Sequence, residues 1–161
     1  MKKLASFALS FALCAACAVS AFAADTTSGT ANATSGTTTI TTNIQPSYLV
    51  VIPADTAIAF NATSTTLTPE LGLSKAQLHP GYKVKVTATV NPLENKKDPS
   101  KTIPFTLHKA DDTAFESAAF TNTTDKVQLS VHISETSWNT APAGSYTGSI
   151  TFTITYTNEA G

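Results

Sequence analysis

Apolar and polar side chains alternate with a period of two over long stretches of this chain, the spacing that puts one face of a strand in a core and the other in water. Tyr146, Gly148, Ile150, Phe152, Ile154 and Tyr156 alternate with Thr147, Ser149, Thr151, Thr153 and Thr155. Val127, Leu129, Val131 and Ile133 alternate with Gln128, Ser130 and His132. Residues 82–90 do the same, with Tyr82, Val84, Val86, Ala88 and Val90 on the dry face. Burying Ile150, Phe152 and Ile154 is expected to contribute on the order of 5–9 kcal/mol gross, at about 1.5–3 kcal/mol per side chain.

Weaker runs fill the remainder. Ile40 and Ile44 share a face of a Thr-rich strand beginning near Thr38. Residues 48–52, bracketed by Pro46 and Pro53, are apolar on both phases and predict a strand buried on both sides. Residues 57–61 predict a short strand, and Leu67, Leu71 and Leu73 around Pro69 and Gly72 predict an irregular edge. Residues 91–101, with two prolines and five charges, predict an exposed loop, and Pro104 makes Ile103, Phe105 and Leu107 an edge strand. Residues 110–120 fit either a hairpin loop or one helical turn, and Pro142 and Gly144 force a turn before the last strand. No capped stripe of period 3.6 is present after the N-terminus. The fold class expected is all-β, a single Ig-like antiparallel β-sandwich of about seven to nine strands over residues 38–158.

The N-terminus follows other rules. Lys2 and Lys3, an apolar run from 4 to 19 and the small residues Ala21 and Ala23 have the order of a secretory signal peptide, with cleavage expected after Ala23. Serines interrupt the run, which is shorter than the roughly 20 apolar residues of a membrane span. Lipidation at Cys14 or Cys17 is disfavoured because neither has Leu three positions before it. Residues 24–37, rich in Thr, Ser and Gly, predict a flexible leader without large apolar groups.

Removing the signal removes both cysteines, so the mature domain is expected to stand without a disulfide. It keeps eight Lys, no Arg and eleven acids, a net charge of −3. A scattered, Arg-free set of cations argues against a nucleic-acid partner. Threonine supplies 29 of the 161 residues, which suits solvent-facing strand positions.

No reactive constellation stands out. His79, His108 and His132 share no metal-binding spacing, and His108 and His132 fall on polar phases of strands. Asp111, Asp112, Glu116 and Asp125 lack the pattern of a calcium loop. A Ser-His-Asp arrangement needs only to meet in space, but no Gly-x-Ser-x-Gly elbow is present. Neither catalytic residues, nor a metal, nor a cofactor is expected. Trp138, the single tryptophan, is the candidate ligand-binding residue, as an aromatic platform for a sugar or partner; the competing role is to seal the end of the sandwich.

The segment from Trp138 through 141–156, Ala-Pro-Ala-Gly-Ser-Tyr-Thr-Gly-Ser-Ile-Thr-Phe-Thr-Ile-Thr-Tyr, resembles the closing strand of small secreted surface proteins of Gram-positive bacteria, including WxL-type proteins. It is also similar to the final strand of fimbrial subunits. Residues 46–53, Pro-Ser-Tyr-Leu-Val-Val-Ile-Pro, resemble the opening strand of the same surface proteins. The Trp-x-Leu elements of the WxL signature are absent, since Asn139 and Thr140 follow Trp138, and no sortase motif is seen. The resemblance implies a non-catalytic, secreted or cell-surface module, adhesin-like or structural. Its expected partners are cell-wall or host-surface glycan or protein, or further copies of itself, with no transmembrane anchor after cleavage. Two alternatives are a fimbria-like subunit that polymerises through the strand carrying Ile40 and Ile44, and a carbohydrate-binding module.

Overall fold

The computed structural model describes residues 38–158; the expected signal peptide and leader lie outside them. Residues 38–45 belong to a first unit of the chain and Pro46 onward to a second. In the first, residues 38–45 carry no regular structure, and Ile40 and Ile44 are 91% and 61% exposed. The strand expected there is therefore not formed: two isoleucines four residues apart bury too little to order a Thr-rich segment without a partner edge.

The second unit is all-β, three antiparallel sheets with one short helix. The first sheet runs β1 (Ser47–Val51), β3 (Leu71–Gln77), β8 (Lys126–Val127). The second places β4 (Tyr82–Asn95) between β10 (Tyr146–Asn158) on one side and β5 (Thr102–Ile103) and β7 (Ser117–Phe120) on the other. In the third, β9 (Leu129–His132) lies between β2 (Ser64–Thr66) and β6 (Thr106–Lys109). Leu71, Leu73, Val84, Val86, Leu129, Ile103 and Phe120 form the fully buried centre, contributed by all three sheets.

Several expectations change. β1 is an edge strand with β3 as its strand partner, so Leu49 and Ile52 reach solvent and the run is half-buried rather than sandwiched. Residues 57–61 form no strand; Asn61, at φ 62°, closes a turn there. Leu71 and Leu73 sit in a central strand, not an irregular edge, because Gly72 lets the Lys126 side chain and the Asp125 carbonyl approach its backbone. β4 continues through Pro92 to Asn95 where a loop was expected. Pro104 does interrupt its strand: β5 pairs with β4, and β6, beyond the proline, pairs with β9 in a different sheet.

Residues 110–120 divide in two: the first part closes a short hairpin back onto β6, with His108 bridged to Ala114, and residues 117–120 become β7 in the second sheet. The Lys109 N–H donates to the Thr113 carbonyl and the Asp112 N–H to the Lys109 carbonyl, a turn whose fourth residue, Asp112, stands at φ 64°. The chain does bend at 141–144 before β10, as expected, and ahead of that bend stands an element the pattern did not predict, α1 (Glu135–Thr140), capped by the Ser134 hydroxyl, which accepts from the Ser137 N–H.

Along β10 the expected burial is only half realised. Phe152 and Ile150 are partly covered and Ile154 is 42% exposed, whereas their neighbours Val84 and Val86 on β4 are completely buried. β10 lies at the end of its sheet order, with β4 as its strand neighbour.

Candidate functional site

The two histidines with no shared spacing in sequence meet on the outer face of the third sheet. Leu107 and Val131 point inward and are buried, so the alternate positions Thr106, His108, Ser130 and His132 face outward. Register pairs Thr106 with His132 and His108 with Ser130, which makes the two imidazoles diagonal neighbours across β6 and β9. Their rings stack with centroids 4.1 Å apart and planes 5° from parallel. Ser64 on β2 stands opposite His132 on the other flank.

The hairpin turn folds Asp112 over this pair. Asp112 Oδ1 lies 3.3 Å from His108 Nδ1 and 3.4 Å from His132 Nδ1. The far edges of both rings meet hydroxyls: His108 Nε2 is 3.0 Å from Thr106 Oγ1, and His132 Nε2 is 3.1 Å from Ser130 Oγ and 3.2 Å from Ser64 Oγ. An open hollow of about 340 Å³ adjoins them, lined also by Thr66, Lys109 and Gln128. Asp111 braces the turn: its carboxylate accepts from the Thr113 hydroxyl at 2.6 Å and from the Thr113 N–H at 3.1 Å, contacts that hold its carboxyl below the ordinary carboxylate range. That brace is complete above the free carboxyl's pKa and is lost as pH falls through the depressed one.

Ser64, His132 and Asp112 thus have the order of a nucleophile, base and orienting acid. Both serines within reach of His132 lie in paired strands, and the acid is 76% exposed.

Trp138, the residue singled out from sequence, is half-buried on α1. Its Nε1–H donates to the Ala62 carbonyl at 2.9 Å, and the ring packs against the core. Phe60, 79% exposed, meets Trp138 edge to face at 5.7 Å, and Asn61, Glu135 and Asn139 border the shallow hollow beside the indole. Trp138 therefore anchors the turn at Asn61 to α1, and the ring presented to solvent is that of Phe60, a residue sequence reasoning passed over. Ile40 and Ile44, in the segment before Pro46, are exposed. Comparison with protein families, curated proteins and solved structures finds no match for this chain.

Proposed function

We propose that this chain is a non-catalytic module of the bacterial cell exterior, an Ig-like β-sandwich exported by its N-terminal signal, and that it assembles by strand addition between copies. The outer edge of β10 carries the proposal. Thirteen residues, Tyr146–Asn158, pair on one side with β4, and no strand among the described residues takes the other side. Edges of this length are ordinarily blunted by lysine, proline or bulges. From Ser149 to Asn158 β10 has none of the three. Beside it the apolar row Ile150, Phe152, Ile154 is only partly covered, so an incoming strand would gain both backbone hydrogen bonds and apolar burial.

The occupant is residues 38–45 of a second copy. Ile40 and Ile44, spaced to share one face of a strand, are the large apolar side chains of that segment and are already in solvent. Eight extended residues span about 26 Å, enough to line most of the free edge. Deleting residues 24–45 is expected to abolish oligomers in light scattering while the circular dichroism spectrum, and the urea midpoint at a dilution where the full chain is monomeric, stay unchanged. A full-length chain that remains monomeric at high concentration, or a deletion that assembles normally, would overturn the assembly. A mature form found mainly in the cytoplasm would overturn the exterior location.

A second reading, glycan binding, is favoured by Phe60 and its polar border. The sharper test of it is Phe60→Ala, since Phe60 is exposed and Trp138 is needed for packing. Loss of glycan-array signal in Phe60→Ala at unchanged stability supports sugar binding, and a signal independent of Phe60 excludes this platform.

A further inference from the structure

We propose that His108, His132 and Asp112 form a binding site for one divalent transition-metal ion of the zinc class. The donor set and its dimensions both point there. Two imidazoles and one carboxylate suit zinc, copper or nickel, not magnesium or calcium, which take all-oxygen ligands. With metal–ligand bonds of about 2.0–2.1 Å, the ligand atoms of a tetrahedral site lie about 3.3–3.4 Å apart. The two Nδ1-to-Oδ1 distances are 3.3 and 3.4 Å, and all three donor atoms fall within 4.8 Å of one another.

The surroundings are those a metal-binding imidazole requires. A histidine that ligates through one nitrogen almost always donates the N–H of the other to an oxygen, which fixes the tautomer and the ring plane. Here Thr106 Oγ1 stands behind His108 Nε2, and Ser130 Oγ and Ser64 Oγ stand behind His132 Nε2. With those oxygens accepting, both Nδ1 lone pairs face Asp112. The Asp112 carbonyl, 2.9 Å from His108 Nδ1, then accepts only from the alternative tautomer, so the cation takes the place of that proton.

Asp112 is itself held unusually. Its φ of 64° is a left-handed conformation that glycine adopts freely and other residues do at some cost; aspartate is among those that tolerate it. Parallel rings 4.1 Å apart do not share one plane with an ion between them, so binding turns each ring about its side-chain torsions and opens the stack. The fourth coordination position opens toward the hollow bordered by Thr66 and Gln128, leaving room for water or an external ligand.

The test uses the purified chain without a histidine tag, titrated with ZnCl₂ by calorimetry and followed by NMR of the imidazole resonances. One Zn²⁺ per chain is expected, moving the signals of His108 and His132 and not those of His79, with no competition from excess Mg²⁺ or Ca²⁺. Loss of an outer-shell hydrogen bond weakens metal sites about 10–100-fold, so Asp112→Gly and His132→Gln are each expected to weaken binding at least tenfold. Asp112→Gly removes a ligand from a turn position that glycine favours, so its hairpin persists even where His132→Gln disturbs β9. Absence of saturable Zn²⁺ binding, or binding that survives Asp112→Gly unchanged, would overturn the site.

Discussion

Replacing Phe120 with alanine is expected to lower the free energy of unfolding by about 3–5 kcal/mol, the range for removing a buried aromatic ring from a packed core. Phe120 ends β7 opposite Val84, is 1% exposed, and is the largest of the fully buried side chains. The loss has two parts, the transfer of the ring's surface back toward water and the cavity left between sheets too stiff to collapse around it. For a domain of this size the melting temperature is expected to fall on the order of 10–20 °C. Against a total stability of about 5–15 kcal/mol, the variant folds with little margin. Urea denaturation checks it: the midpoint drops while the m-value holds. The matched control is Ile40→Ala, at a side chain 91% exposed, where a change within about 0.5 kcal/mol is expected. A Phe120 variant no less stable than that control would remove β7 from the core.

The contrast between these two residues marks what the amino-acid pattern could reveal. Strands with one wet face, such as β9 with its inward Leu129 and Val131, announce themselves because each second residue must be apolar and the others need not be. β3 did not, since Leu71-Gly72-Leu73 presents no polar alternate, and Gly72 is there for a tertiary reason: a Cβ would lie 2.8 Å from the Asp125 carbonyl, 53 positions along the chain. The helix α1 left a faint trace in Ser134 and Glu135, a cap and a first-turn acid, but six residues are too few to show a period.

The histidine site was illegible for a different reason. His108 and His132 are 24 positions apart, and each is an ordinary polar residue on its own strand. Only the β6–β9 register makes them diagonal neighbours, and a slip of one residue would turn one imidazole into the core. Asp112 reaches them because the hairpin closes at Lys109 and Thr113, a geometry decided by backbone hydrogen bonds more than by any local motif. The half-covered flank of β10 was hidden likewise, because whether a strand is central or terminal depends on sheet order and not on its own alternation.

Gly148→Ala is expected to destabilise the domain by about 1–3 kcal/mol, the usual cost of forcing an extra carbon into a filled space. The reason lies in how β4 passes its proline. Thr147 pairs with Glu94 and Ser149 with Asn91, so Gly148 alone stands opposite Pro92 and Leu93, an irregularity that accommodates a proline unable to donate to the ladder. At that point the strands approach closely: a Cβ on Gly148 would lie 2.8 Å from the Pro92 carbonyl oxygen, 2.9 Å from that of Asn91 and 3.0 Å from Leu93 Cδ2. Two of the three obstacles are backbone, which cannot rotate away, so the strands must separate where their pairing is already interrupted. Thr147→Ala, one residue earlier and exposed, is expected to change stability by no more than about 0.5 kcal/mol. Hydrogen exchange locates the effect: amides from Tyr146 to Ser149 should lose protection in Gly148→Ala before those from Ile150 to Tyr156 do. An alanine accepted without loss of stability would mean that β10 does not hold this register against β4, and the free edge assigned to assembly would lose its geometric footing.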